Sequence, residues 1–167
     1  IKVLTTVEIG LGNGFMNCVF QHLAALDAVA VLHSEDGDVW DAKTAQFQAE
    51  GKGDPGWYPK SRPDYAEAMA ADDAARMAME AGCKYYGIHT SCRKSAAVLA
   101  AFRQQYGRDR LRAETCTHYT VHDDSIFEEL GNLPMIAPPI RTPDDIEAMF
   151  EHLRANTLDV VSTDHCG

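Results

Sequence analysis

Ala28-Val29-Ala30-Val31-Leu32-His33 is a continuously apolar run that ends in a histidine and opens into Ser34-Glu35-Asp36-Gly37. A strand buried on both faces reads this way, without the alternation of a half-exposed strand. Working outward, the same kind of unit recurs. Upstream, Phe15, Val19, Leu23 and Leu26 have helical spacing. Downstream, Asp64–Ala81 is alanine-rich and helical and closes on Gly82, the residue type favoured just past a helix end. Residues 84–89 (KYYGIH) are a strand candidate, Arg93–Tyr106 a helix closed by Gly107, and 111–117 another strand. In Thr142-Pro143-Asp144-Asp145, Thr caps a helix, Pro suits its first turn and the acids suit its dipole, and this helix runs to about Ala155. Residues 1–6 and 158–163 (LDVVST) are the outer strand candidates. The polar stretch 34–63 reads as a long loop, and long loops in compact domains are often functional.

Five strands with intervening helices imply parallel βα units. A doubly wound sheet and part of a (β/α)8 barrel share that pattern, and periodicity alone does not separate them. A nucleotide-binding version of the former wants G-x-G-x-x-G after its first strand, and Gly10-Leu11-Gly12-Asn13-Gly14 lacks that spacing.

The 167 residues suffice for one domain, and 46% hydrophobic with 24% charged residues is ordinary globular composition. The formal charge of -10, from 25 acidic against 15 basic residues, argues against nucleic acid or an anionic membrane as partner. No apolar run approaches the roughly 20 residues of a membrane helix. Five scattered cysteines, none spaced C-x-x-C, argue against a disulfide framework and for a reducing, cytoplasmic setting. The chain does not begin with Met, and 162–167 reads as a strand entering a loop, so an excerpt of a longer chain is expected.

His33, His89 and Asp164 each close a predicted strand, and Lys2 lies in the first. In a barrel, strand C-termini converge on the face where active sites are built. Imidazole and carboxylate groups meeting there suit zinc and similar divalent ions. A lone histidine at a strand end is ordinarily a hydrogen-bonded structural residue. Three such residues at three strand ends bring a metal site level with that reading. Lys2 on composition alone is a solvated lysine.

Further elements appear in a fixed order. Ile1-Lys2-Val3-Leu4-Thr5-Thr6 is a lysine in an apolar strand, and His33-Ser34-Glu35-Asp36-Gly37-Asp38 a histidine with an acidic turn. Ser61-Arg62-Pro63, Ile88-His89-Thr90-Ser91-Cys92 and Glu114-Thr115-Cys116-Thr117-His118-Tyr119 follow, then Pro138-Pro139-Ile140-Arg141 and Thr163-Asp164-His165-Cys166. Each is weak alone, but seven in order are specific. Across essentially its whole length the chain resembles the dihydropyrimidinase/hydantoinase branch of the amidohydrolase superfamily, with allantoinases and dihydroorotases as near relatives.

The resemblance implies an α/β fold, a partial TIM-type (β/α)8 barrel. Residues 1–167 would be a single segment of the catalytic barrel domain, approximately strands 4 to 8, without the N-terminal strands and small β-sandwich domain. It implies two divalent metal ions, zinc first, bridged by Lys2 as a CO2-derived carbamate. His33 and His89 would hold the second ion. Asp164 would bind the first and act catalytically, taking a proton from a bridging hydroxide and passing it to the leaving nitrogen. Ala137 and Pro138 would offer backbone to a small cyclic amide, and Glu114, Cys116 and His165 would support the ligands from behind. The family is commonly dimeric or tetrameric.

Two departures stand out. Relatives carry a Tyr, an oxyanion donor, five residues after the lysine, where this chain has Val7. Loss of one such donor can cost about 10²–10³ in rate. The family's His-x-His pair for the first metal is absent, so these residues alone are expected to be a poor catalyst. A non-catalytic scaffold, as in the collapsin-response-mediator proteins, and an allantoinase- or dihydroorotase-like enzyme are the alternatives. The scaffolds have lost ligands that Lys2, His33, His89 and Asp164 retain here, which favours the enzyme.

Overall fold

The structure is a computed structural model that describes residues 2–4 and 12–165. Its strands are β1 (Lys2–Leu4), β2 (Val29–His33), β3 (Lys84–Gly87), β4 (Leu111–Cys116) and β5 (Val160–Ser162). Its α-helices are α1 (Asn13–Ala25), α2 (Gly37–Ala49), α3 (Tyr58–Ser61), α4 (Asp64–Ala81), α5 (Arg93–Tyr106), α6 (His118–Val121), α7 (Ile126–Leu130) and α8 (Pro143–Arg154). All strand pairs are parallel, and each strand lies beside the one before it, in the order β1-β2-β3-β4-β5. A doubly wound sheet reverses direction at a switch point. Here no reversal occurs among the described strands, as in the wall of a barrel.

The helices repeat that order in one layer, with α1 against α4, α4 against α5, and α5 against α8. Ala30, Leu32, Tyr85, Leu111 and Ala113 of the strands are buried with Phe20, Leu23, Leu99, Phe102 and Met149 of this layer. The intervening residues form rows through the strand register, Lys2 beside Val31, Val31 beside Tyr86, and Tyr86 beside Arg112. Their face is less covered, with Lys2 and Arg112 exposed and Val31 and Tyr86 half-buried.

Alanine decides how closely the helices approach. Ala66, Ala70, Ala74 and Ala78, with Ala71 and Ala75, form i, i+4 rows that bury one face of α4 between its neighbours. Gly82 ends α4 at φ 78°, a left-handed conformation that a side chain would strain. Thr142 and Asp145 form the reciprocal cap of α8, and the second Asp145 oxygen accepts the Arg93 backbone N–H, tying the start of α5 to it.

The stretch 34–63 is not the continuous loop expected. It holds α2, a 3-10 turn at Pro55–Trp57, and α3. α2 buries no residue fully, so its sequence lacks an apolar stripe. It forms because the Asp36 side chain accepts the Val39 N–H, and because Phe47 packs on Trp57. No described helix is long and apolar enough to cross a membrane.

Leu32 is fully buried one residue before His33. Leu32→Ala is expected to destabilise the fold by about 2–5 kcal/mol in urea unfolding.

Candidate functional site

β2 and β3 deliver two histidines to the same end of the sheet. His33 is the last residue of β2, and His89 lies two residues beyond β3. Both are buried, their rings meet edge to face, and His33 Nδ1 stands 3.0 Å from His89 Nε2. One proton between these nitrogens makes a hydrogen bond, and the same two lone pairs are what a divalent ion would take. Burial, then the neighbouring His33, hold the His89 imidazole down to about 3, so it is neutral and fit to ligate. Asp164 pulls the other way and Lys2 adds to the effect, so both charges lie within electrostatic reach of His89.

His89 adopts φ 38° and Asp164 φ 45°, left-handed conformations uncommon for residues other than glycine. Such conformations persist where surroundings impose them, and they cluster at functional sites. The loop after His89 is held by Thr90 N–H donating to the Glu114 carbonyl at 2.9 Å and by Thr115 Oγ1 donating to the Thr90 carbonyl at 2.8 Å.

Around the pair runs a closed ring of buried polar groups. His33 Nε2 lies 2.8 Å from Glu35 Oε2. Arg62 grips Glu35 with two prongs, Nε to Oε1 at 3.0 Å and Nη2 to Oε2 at 2.5 Å. The Arg62 carbonyl accepts from Arg141 Nη1, and Arg141 Nη2 donates to Glu67 Oε2 at 2.9 Å. Glu67 accepts the Ser91 N–H at 2.9 Å and the Ser91 hydroxyl, and Ser91 Oγ also accepts from Arg141 Nε at 3.0 Å. Ser91 is two residues past His89, so the ring returns to its start. Burial alone would raise the Glu35 carboxyl. Hydrogen bonds from His33 and Arg62 and the Arg62 charge overcome it and hold the group at about 2.

The other named residues are placed differently. Among the described residues no three His, Cys, Asp or Glu side chains converge as a metal set. Lys2 is exposed on β1, and Asp164 is exposed two residues past β5. Glu114 ties three strands, accepting from Tyr86 Oη at 2.6 Å and Ser162 Oγ at 2.9 Å. The Cys116 thiol lies 3.2 Å from Ser162 Oγ, and burial pushes it up to about 11, so it is protonated at neutral pH. His165 is exposed, its backbone N–H on Thr163 Oγ1.

The Pro138 carbonyl accepts from Tyr119 Oη at 2.6 Å and the Ile136 carbonyl from Tyr58 Oη at 2.8 Å. Between them Ala137 is exposed, and its N–H and C=O have no partner among the described residues. Val7 lies outside the described residues. Sequence reasoning did not assign Glu35, Arg62, Glu67, Ser91 or Arg141. Glu35, Arg62, Ser91 and Arg141 stand within the ordered elements, but only the fold shows their pairing.

Removing one member of a buried ion pair leaves an uncompensated charge. Arg141→Met is therefore expected to cost about 3–5 kcal/mol in urea unfolding. The Glu35 carboxyl is depressed from an ordinary 4.5 to about 2. Its stabilisation is thus full above about pH 4.5 and is lost as pH falls toward 2. Over that window the urea midpoint of the wild type should fall more steeply than that of Glu35→Gln.

No protein-family model matches the chain. In sequence it is 31% identical over 145 residues to allantoinase of Salmonella paratyphi B, which covers 87% of this chain and 32% of the relative. The chain thus spans about a third of the length of the curated relatives it matches. In structure it superposes on D-hydantoinase from Bacillus sp. AR9 with TM-score 0.93 at 28% identity, over 99% of this chain and 37% of that one. Dihydropyrimidinase from Brevibacillus agri NCHU1002 gives TM-score 0.93 at 28% identity, over 99% and 36%. The sheet order and these likenesses agree: the chain is similar, over nearly all of its length, to part of the cyclic amidohydrolases of the amidohydrolase superfamily, and its sheet matches part of the hydantoinase (β/α)8 barrel.

Proposed function

We propose that Lys2, His33, His89 and Asp164 form one side of a two-metal centre that hydrolyses the C–N bond of a cyclic amide. The observation that carries this is the buried pair of imidazoles, 3.0 Å apart, at the strand end where barrel active sites are built. The family's His-x-His pair is absent here, so the catalytic unit is proposed to comprise more chain than these residues. It would belong to a soluble homo-oligomer acting on small molecules. The curated relative described above is an allantoinase. We therefore rank five-membered cyclic ureides such as allantoin and hydantoins ahead of dihydropyrimidines.

The donor set fits a divalent ion. His33 and His89 offer imidazole nitrogens, Lys2 as a carbamate would offer two anionic oxygens, and Asp164 would offer a carboxylate. Bound there, divalent ions, zinc first, would make water acidic enough to attack near neutral pH and would polarise the ring carbonyl. Asp164 then serves as base and acid in turn, accepting the proton of the attacking water and returning it to the leaving ring nitrogen. The unpaired N–H and C=O of Ala137 can read the amide edge of the ring. Pro138 has no N–H, and its carbonyl already accepts from Tyr119.

Asp164→Asn should lower turnover by about 10²–10⁴-fold with an unchanged circular dichroism spectrum. A near-normal rate would remove Asp164 from this role. Chelation should abolish activity and Zn²⁺ restore it, whereas full activity without metal would refute the mechanism. Among allantoin, hydantoin, dihydrouracil and dihydroorotate, the ureides should be opened fastest. Exclusive action on dihydrouracil would reverse the substrate order.

A further inference from the structure

We propose that Glu35, clamped by Arg62, is a positioning residue that orients His33 and fixes which of its nitrogens is turned toward His89 to bind metal. The inference rests on the metal-site reading above and goes beyond it to a residue that touches neither ion nor substrate.

A guanidinium has donors only, so both Glu35 oxygens act as acceptors toward the Arg62 fork. Oε2 is also the partner of His33 Nε2 at 2.8 Å, so His33 must be the donor in that bond. The ring proton therefore sits on Nε2. Nδ1 is left as the nitrogen facing His89, where the 3.0 Å contact lies. A histidine that donates one N–H to a carboxylate is locked in tautomer and ring angle, and it ligates metal better through the other nitrogen.

Glu35 is itself held. Its side chain is 3% exposed, and the two-pronged grip sets both its position and its plane. Arg62 cannot swing away. Its guanidinium carbon lies 4.7 Å from the Trp40 ring centroid and 5.8 Å from that of Tyr58, and Arg141 Nη1 donates to its carbonyl. The competing account is that this is a buried ion pair of purely structural value. The two differ in what Glu35 does to metal affinity once the protein is folded.

The test is Zn²⁺ affinity, read by competition with a chromophoric chelator, alongside thermal unfolding. Glu35→Gln should weaken Zn²⁺ binding by about 10–100-fold, the usual effect of losing such a partner. Asp159→Asn is the control. Asp159 is a buried carboxylate paired with Arg103 and Arg108 just before β5, at the opposite end of the strand from Asp164. Asp159→Asn should lower the melting temperature yet leave Zn²⁺ affinity unchanged. Wild-type affinity in Glu35→Gln would overturn the inference. So would an equal loss in Asp159→Asn, which would make the effect one of general stability. A wild-type protein that binds no Zn²⁺ would refute the metal-site reading, and this inference with it.

Discussion

A carboxylate in a protein interior must be paired, and in this fold the pairing partners come from different loops. Arg62 on Glu35 and Arg141 on Glu67 are both nearly inaccessible to water. Each pair gains little over an apolar core of the same volume, because desolvation offsets most of the attraction. Breaking one is costly, however, so the loops have no inexpensive alternative arrangement. The loop after β2, the turn before α4, the loop after β3 and the segment before α8 are thereby locked to one another. Four connections that would otherwise be the most mobile parts of a barrel become one rigid rim.

That rigidity is what the chemistry at the strand ends needs. Two imidazoles are brought within 3.0 Å before any ligand arrives, with one of them hydrogen-bonded to a fixed carboxylate. The entropy of ordering them is met on folding rather than on binding. The left-handed backbone at His89 fits the same picture, since Ser91 and Thr90 are anchored on Glu67 and on β4. The segment before α8 joins the rim through Arg141, and Ala137 has no backbone partner among the described residues, so the proposed binding and ligating groups share one support.

Much of this was legible in the residues. The strands and the helices α4, α5 and α8 announce themselves through apolar runs, alanine rows, a terminal Gly82 and the Thr142 cap, all signals local in sequence. α2 escaped because it buries no residue fully and depends on Asp36 and on ring contacts made by tertiary structure. His33 and His89 are legible as a candidate pair because each closes a recognisable strand run. Their supports were not, because Glu35 meets Arg62 across 27 positions and Glu67 meets Arg141 across 74. Pairing at such separations leaves no periodicity to read. Val7, which stands where the hydantoinase pattern has a tyrosine, lies outside the described residues.

The buried ring is proposed to present His33 Nδ1 and His89 Nε2 together as ligands of one divalent ion. Anomalous diffraction at the zinc edge from crystals grown with Zn²⁺ tests it most directly. One anomalous peak is expected at about 2.0–2.1 Å from both nitrogens, with Glu35 still bonded to His33 Nε2. Zinc bound elsewhere while the two imidazoles keep their mutual hydrogen bond would contradict it.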